Sequence, residues 1–427
     1  MEYQEQINIG KTLMCLSRAQ SILSPQVGRH QMQVAYLSYR LAEQLKLPAQ
    51  GRKELCLAAL VHDIGALSMK EKMDVIDGTA INIHTHAFRS ARLVQDFAPL
   101  KKTADIIRYH HVPWAGGQGV RFCGKEVPAE AQLLHLADRV CSRLPASGNM
   151  LCKVPQMLEW IKKQGDAEFD PRYTAALEVL VKQEYIWFDL ASDDPMDRLP
   201  GWLLPTIPLV AADVTKLAEL FSHIIDFGSQ FTARHSVGVA SVAEYLAQQS
   251  GFSPEDCRRM KIAGYLHDLG KLAVDSTILE KNSALNAEEF NEIRAHTYYT
   301  YYLLDPIKEL NEIKLWAAYH HERLDGGGYP FHITADFLPL GARIMAVADA
   351  FTAITEDRPY RSGMTPEKAT EVLQNMVQKQ ALDEQVVRTL LPNFDEVNHL
   401  RAAAQKKAIR YYETFFHEEC PCTPGQS

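Results

Sequence analysis

Histidines and aspartates recur along this chain in the pattern that a metal centre requires. The stretch "YLHDLGK", residues 265–271, sets His267 beside Asp268. The preceding "KIAGYL" has the apolar character of a packed helix, so the pair falls on a last helical turn with Gly270 placed to end it. Neighbouring helix residues diverge by about 100°. His267 can therefore face one ion while Asp268, with two oxygens, bridges that ion to a second. A single His-Asp dipeptide is weak evidence, because a buried histidine capped by a local aspartate is ordinary packing. Its company decides the matter: His235, His296, the adjacent His320 and His321, and Asp349 each fall on or at the end of a helix-like segment. Five imidazoles and two carboxylates suit iron, manganese, zinc or nickel, and exceed what one ion needs. Two divalent ions roughly 3.5 to 4 Å apart generate hydroxide at neutral pH and neutralise negative charge. Lys271 follows Asp268 by three residues and lies over the same edge of the turn. Gly326, Gly327 and Gly328 free the loop after His321 for close approach to a ligand, and Tyr329 offers an aromatic face.

The elements that position these residues occur twice. His30 to His62 spans the same 32 residues as His235 to His267, an offset of 205. The offset is 210 from His86 to His296 and from His110-His111 to His320-His321, and 211 from Asp138 to Asp349. A slowly growing offset marks two copies of one domain with a few loop residues inserted. Ten of the 16 histidines fall at these equivalent positions, which isolated core histidines would not do. The first copy, residues 1–190, keeps seven ligand-type residues: His30, His62, Asp63, His86, His110, His111 and Asp138. His86 rather than His84 reproduces the spacing to Leu93-Val94. It has lost the groups that would handle an anion: Lys271 corresponds to Ala66, Asp325 to Ala115 and Tyr329 to Gly119. Residues 191–212, rich in proline and acid, read as a linker whose run "GWLLPTIPLV" is apolar enough to pack on a domain rather than float; the second copy covers 213–405, and 406–427 a helix end and polar tail that contains Cys420 and Cys422. Strand alternation is nearly absent, so the expected fold is all-α, two tandem helical domains.

Composition narrows the partners. At 427 residues the chain suggests two or three domains, and 46% hydrophobic residues support real cores. A net charge of -8 gives no basic field for DNA or RNA, so a phosphate-bearing ligand must be met locally. Apolar runs such as "CLAALV" fall short of a membrane span, and the N-terminus lacks the regions of a signal peptide, which points to a cytoplasmic protein with no membrane partner. The eight scattered cysteines fit reduced thiols.

Residues 231–394 resemble the HD-GYP family of the HD phosphohydrolase superfamily. The family's pattern reads here as His235, His267-Asp268 with Gly270-Lys271, His296, His320-His321-Glu322 with Asp325-Gly326, Gly328-Tyr329-Pro330, Asp349, and Arg358-Pro359-Tyr360-Arg361. The resemblance implies an all-helical phosphodiesterase with two divalent transition metals, iron or manganese first, that opens a cyclic dinucleotide. Cyclic di-GMP is its usual substrate and cyclic GMP-AMP the alternative. It further implies that Asp268 and Lys271 serve the reaction and that Asp325, Gly328, Tyr329, Arg358 and Arg361 meet the substrate, the arginines through phosphate. Some members bind a third metal through a glutamate four residues before the first histidine; Phe231 stands there, so a two-metal site is expected. Thr352 stands where the family often has a second aspartate. By the same resemblance the first copy is a degenerate HD-type domain, kept for packing, for a homodimer or signalling partner, or as a second metal site. A different class of reading is an HD-derived scaffold without catalysis; Lys271, Tyr329, Arg358 and Arg361 argue against it in the second copy.

Overall fold

The computed structural model describes residues 4–77, 82–145, 149–204, 206–226, 234–279, 281, 283–357 and 362–417. Phe231, Arg358, Arg361, Cys420 and Cys422 lie outside the described residues. As expected, the chain is helical, with two small two-stranded sheets among the described residues. It divides into two compact units. The first is Asn8–Ile207; the second is Pro208–His417 together with residues 4–7, which join it because Gln4–Asn8 pairs with Thr206–Val210.

In the first unit His30 rides on Pro25–Gln44, and His62 caps Ala49–Val61, with Asp63 next. His86 lies on Ile83–Gln95, His110-His111 follow Lys101–Arg108, and Asp138 lies on Ala129–Cys141. The second unit repeats the order. His235 opens His235–Gln249, His267 caps Pro254–Leu266, His296 lies on Ala287–Leu304, His320-His321 follow Asn311–Ala318, and Asp349 lies on Leu340–Thr355. Local sequence fixes these starts. Ser253 accepts from the Asp256 amide with Pro254 in the first turn, and Asn286 with Glu289 forms a reciprocal capping box.

Gly270 acts differently from the helix terminator expected from sequence. The helix already ends at Leu266, and Gly270 sits in the short 3-10 turn Leu269–Ala273. A Cβ there would come within 1.9 Å of the His296 carbonyl oxygen. The missing side chain thus lets the His296 helix press onto the His-Asp turn, and Thr300 Oγ1 fastens the two by accepting from Gly270 N at 3.0 Å and donating to the His267 carbonyl at 3.0 Å. Gly65 and Ser90 repeat the device: a Cβ on Gly65 would lie 2.4 Å from the His86 oxygen, and Gly65 N donates to Ser90 Oγ at 2.8 Å.

Residues 191–204 are not a free tether. They form the turns Pro195–Arg198 and Gly201–Leu203, bury Met196 and Leu203, and tie Asp194 to Arg18 at 2.9 Å within the first unit. At the other end the helix Phe394–His417 runs well past residue 405.

Candidate metal centres

In the second unit all seven ligand-type residues converge. His235, His267 and Asp268 form one group with donor atoms within 4.8 Å of one another, and His296, His320 and His321 form another. Asp268 stands between them: Oδ2 is 3.2 Å from His267 Nε2, and Oδ1 is 3.5 Å from His296 Nε2. One carboxylate thus offers an oxygen to each group. Asp349 Oδ1 joins the first group through His235 Nε2 at 3.0 Å.

The ring orientations follow from the helix ends. His267, His296 and His320 each aim Nδ1 at the carbonyl three residues back, on Gly264, Ile293 and Ala317, at 2.8, 2.5 and 2.7 Å. That contact holds the proton on Nδ1 and leaves the Nε2 lone pair for the cluster. His267 Nε2 is buried with no hydrogen-bond partner, and His296 and His320 face each other Nε2 to Nε2 at 3.3 Å. Burial holds His296 down to about 3, and burial with neighbouring imidazoles depresses His320 and His321, so all three are neutral ligands at neutral pH. These donors fit divalent metals: nitrogen-rich, deprotonated, and left unpaired by the protein.

His235 is held by a residue that sequence reading missed. Its Nδ1 faces both oxygens of buried Glu356 at 3.3 Å, and Gln405 Nε2 donates to the same carboxylate at 3.0 Å. Burial opposes a charge on His235, but Glu356 and Asp349 outweigh it and lift the imidazole to about 10. Asp226 was missed as well; burial pushes its carboxyl up to about 7, against the pull of His235 and a hydrogen bond from Ser236 Oγ at 2.9 Å. Neither acid falls within the short motifs.

Lys271 reaches Asp268 Oδ2 at 2.6 Å. Burial works against its ammonium, yet Asp268 more than offsets this and keeps it charged; burial likewise opposes the Asp268 carboxylate, which His267 and Lys271 nonetheless hold well below its ordinary range. Tyr329 lies 5.0 Å from His321, ring to ring, and the Arg294 guanidinium sits 4.7 Å over Tyr329. Arg294 is a second missed residue type, a cation with no ion-pair partner among the described residues, two positions before His296. The glycine loop is held by its own contacts. Asp325 turns back on its own loop, accepting from Arg323 at 2.9 Å and Gly327 N at 2.8 Å. A Cβ on Gly328 would meet Arg323 N at 2.4 Å, so that glycine accommodates the loop's own backbone. Buried Glu322 braces the loop by accepting from Phe331 N and Ile333 N at 2.6 and 3.0 Å.

The first unit assembles the equivalent seven. His30, His62 and Asp63 form one group, and Asp63, His86, His110 and His111 another. Asp63 Oδ2 is 3.1 Å from His62 Nε2, and Oδ1 is 3.2 Å from His86 Nε2. His84 instead packs on Phe122, its ring 5.1 Å away. Ala66 fills the position of Lys271, but Lys72 from Met69–Asp77 feels the Asp63 charge, although burial pulls its ammonium down to about 8.

Known proteins share this plan. A family model described as HD domain matches residues 27–142, and another of the same description matches 219–386. The chain is 28% identical over 409 residues to 3'3'-cGAMP-specific phosphodiesterase 1 of Vibrio cholerae, covering 93% of this chain and 94% of that protein. It is 38% identical over 137 residues to a cyclic di-GMP phosphodiesterase response regulator of Xanthomonas campestris, covering 32% and 36%. A crystal structure of a cyclic GMP-AMP-specific phosphodiesterase of V. cholerae aligns with a TM-score of 0.61 at 22% identity, covering 96% of this chain and 98% of that one.

Proposed function

The chain belongs to the HD-domain family, with two copies in tandem, and on that premise we propose that the second copy is a metal-dependent phosphodiesterase that opens a cyclic dinucleotide. The observation that carries this reading is Asp268, which offers one oxygen to each histidine group while Lys271 stands on it at 2.6 Å. His235, His267 and Asp349 would hold one divalent ion, His296, His320 and His321 the other, with Asp268 shared. The donor set suits iron, manganese, zinc or nickel, and the resemblance to the HD-GYP family puts iron or manganese first. When bound, such a pair supplies hydroxide near neutral pH and neutralises phosphoryl charge.

The chain's own residues do the rest. Lys271 Nζ clamps a non-bridging phosphoryl oxygen and neutralises charge that builds in the transition state. Asp268 holds that ammonium in place and relays the proton of the attacking water to the leaving oxygen. As the water oxygen bonds to phosphorus, the P–O3′ bond breaks and the ribose O3′ leaves with that proton, so the ring opens to a linear dinucleotide. Tyr329 and the Arg294 plane above it supply a stacking face and a cation on the side of His321, suited to a base and the second phosphate. Arg358 and Arg361 are the further phosphate contacts of this proposal. In the first copy, Ala66, Ala115 and Gly119 leave no equivalent clamp or stack.

Sequence alone ranks cyclic di-GMP ahead of cyclic GMP-AMP. The extent of the matches favours the reverse order, because a relative spanning both copies is named for 3'3'-cGAMP while relatives named for cyclic di-GMP match shorter stretches, such as 137 and 166 residues. Among the described residues no helix is long and apolar enough to cross a membrane. A cytoplasmic location remains part of this proposal; Cys15, Cys56, Cys141, Cys152 and Cys257 carry no disulfide. The test is product chromatography with the full chain, loaded anaerobically with iron(II) or manganese(II), on both cyclic dinucleotides. The expected result is a linear dinucleotide, lost on chelation and restored by metal; failure of the loaded protein to open either ring overturns the reading.

A further inference from the structure

We propose that the second unit carries a ligand site apart from its metal centre: a groove that takes a planar aromatic ring bearing an anionic group. A nucleoside monophosphate is the phosphate-bearing form of such a ligand, and an indole carboxylate the carboxylate-bearing form. The groove lies between His235–Gln249, Pro254–Leu266 and Phe394–His417. Its walls include Ser241, Glu244, Phe252, Arg258, Lys261 and Leu400, and it measures about 620 Å³. Small-molecule sites run from roughly 300 to 1,000 Å³ and join apolar walls to a few placed polar groups, as here. None of the unit's seven ligand-type residues lines it.

The first unit shows what the same face holds when the chain fills it. The offset of 205 is the same at His30 and at His62, so Tyr36 and Tyr39 stand where Ser241 and Glu244 do, and Lys53 where Arg258 does. The two tyrosines are buried, with Tyr36 OH donating to Asp189 at 2.6 Å and Tyr39 OH to Glu43 at 2.9 Å. The Trp202 indole packs against Tyr39 with ring centroids 6.3 Å apart, and the Lys53 ammonium lies 5.8 Å over the indole. A planar ring beneath a cation thus completes that face from within the chain.

The second unit keeps the cation and lacks the ring. Where the first unit turns through Gly201–Leu203 to present Trp202, the second runs on as the single helix Phe394–His417, tied to the wall by Tyr245 OH on Glu396 at 2.9 Å. Ser241 and Glu244 are smaller than the tyrosines they replace, which leaves the groove open. Arg258 is exposed and has no ion-pair partner among the described residues, whereas Glu244 holds Lys261 at 2.8 Å. A guanidinium both lies over a ring and pairs with an anion attached to it. The ligand's ring therefore takes the place that the indole has in the first unit, against Phe252 and Leu400. Its anionic group meets Arg258, and the Lys261-Glu244 pair offers a donor and an acceptor to the ring's edge.

The inference stands whatever reaction the metal centre performs, and its readout is binding rather than turnover. The metal-loaded full chain is titrated by calorimetry with guanosine 5′-monophosphate, indole-3-acetate, guanosine and inorganic phosphate. One of the two aromatic anions should bind, and the tighter of them identifies the source; guanosine and phosphate, each with half of the recognised chemistry, should bind at least about tenfold more weakly. Arg258→Ala, a change at an exposed position, should weaken the aromatic anion roughly 10- to 100-fold with metal content unchanged. Ser241→Tyr, which brings in the first unit's filling, should abolish binding. The His267→Ala, Asp268→Ala protein should keep the site. Failure of both aromatic anions to bind wild-type protein overturns the proposal without reliance on any variant folding. So does an Arg258→Ala protein, folded by circular dichroism, that binds as wild type does, since the anion would then sit at a metal centre or elsewhere. N-acetyltryptophanamide binding as tightly as indole-3-acetate would also overturn it, by assigning the groove to a neutral tryptophan side chain of a partner protein.

Discussion

Replacing Glu356 with glutamine should weaken metal binding in the second unit without removing it. Glu356 is 1% exposed, and it touches His235 Nδ1 through both oxygens at 3.3 Å. Among the described residues no other histidine of that cluster meets a carboxylate with Nδ1; His267, His296 and His320 use backbone carbonyls. The carboxylate orients the ring and makes Nε2 a stronger donor, and loss of such a partner costs ~10- to 100-fold in affinity. Glutamine keeps the volume and an oxygen that can accept from Nδ1–H, and Gln405 still neighbours it, so the effect should sit at the low end, about tenfold or ~1.4 kcal/mol. Glu356→Ala removes the acceptor and strands the Gln405 amide, so about 100-fold or ~2.7 kcal/mol is expected. Competition with a chelator of known affinity, using manganese(II) and the full chain, measures both. The proton balance adds a check. His235 is lifted to about 10 in metal-free protein, so its charged pair is fully formed below about 6.5 and lost as pH rises through 10. Metal must displace that proton, so affinity should rise with pH between 6 and 9, less steeply in Glu356→Gln. Equal affinities for wild type and both variants, or a glutamine variant as damaged as His235→Ala, would refute the role assigned to Glu356.

Other outcomes follow from the same geometry. Lys271→Met should retain metal yet lose kcat by ~10²- to 10⁴-fold, the usual worth of a positioned charge or proton donor; loss of metal instead would make Lys271 a structural brace for Asp268. Arg294→Ala should raise KM roughly tenfold with kcat little changed, and lysine should not restore it, since the planar guanidinium stacks on Tyr329; an unchanged KM would remove Arg294 from the substrate face. In chelated protein, His296 is held at about 3, so its stabilising neutrality is present above about 6.5 and lost as pH falls toward 3, a penalty of at most ~5 kcal/mol. His320, His321, His110 and His111 shift the same way, while Asp226, raised to about 7, opposes them by gaining stability over the same fall. The histidines should prevail, so the urea midpoint should drop from pH 7 to pH 5; a rise would contradict their buried neutrality.

The centre was legible because metal ligation demands particular residue types, and a duplication repeated them at offsets that core packing would not preserve. His86 could be chosen over His84 on spacing, and the structure puts it beside Asp63. What spacing could not reveal is contact across the fold. Glu356 reaches His235 from 121 residues away, and Gln405 reaches Glu356 from the final helix. Gly270 looked like a helix terminator because sequence shows only its own helix, whereas its constraint comes from the His296 helix pressed against it. The proline-rich stretch broke any continuous helix as expected, and Leu203, in its apolar run, is buried as that run implied, whereas burial of Met196 among acids and prolines could not be read from the sequence.

The most direct test of the account compares two full-length double variants, loaded with the same metal, on cyclic di-GMP and 3'3'-cGAMP with chromatography of the products. The His62→Ala, Asp63→Ala protein should still yield linear dinucleotide, because the second unit keeps its ligands, Lys271 and Tyr329. The His267→Ala, Asp268→Ala protein should yield none. Activity that survives only when the His62-Asp63 pair is intact would contradict the account and move the catalytic centre to the first unit.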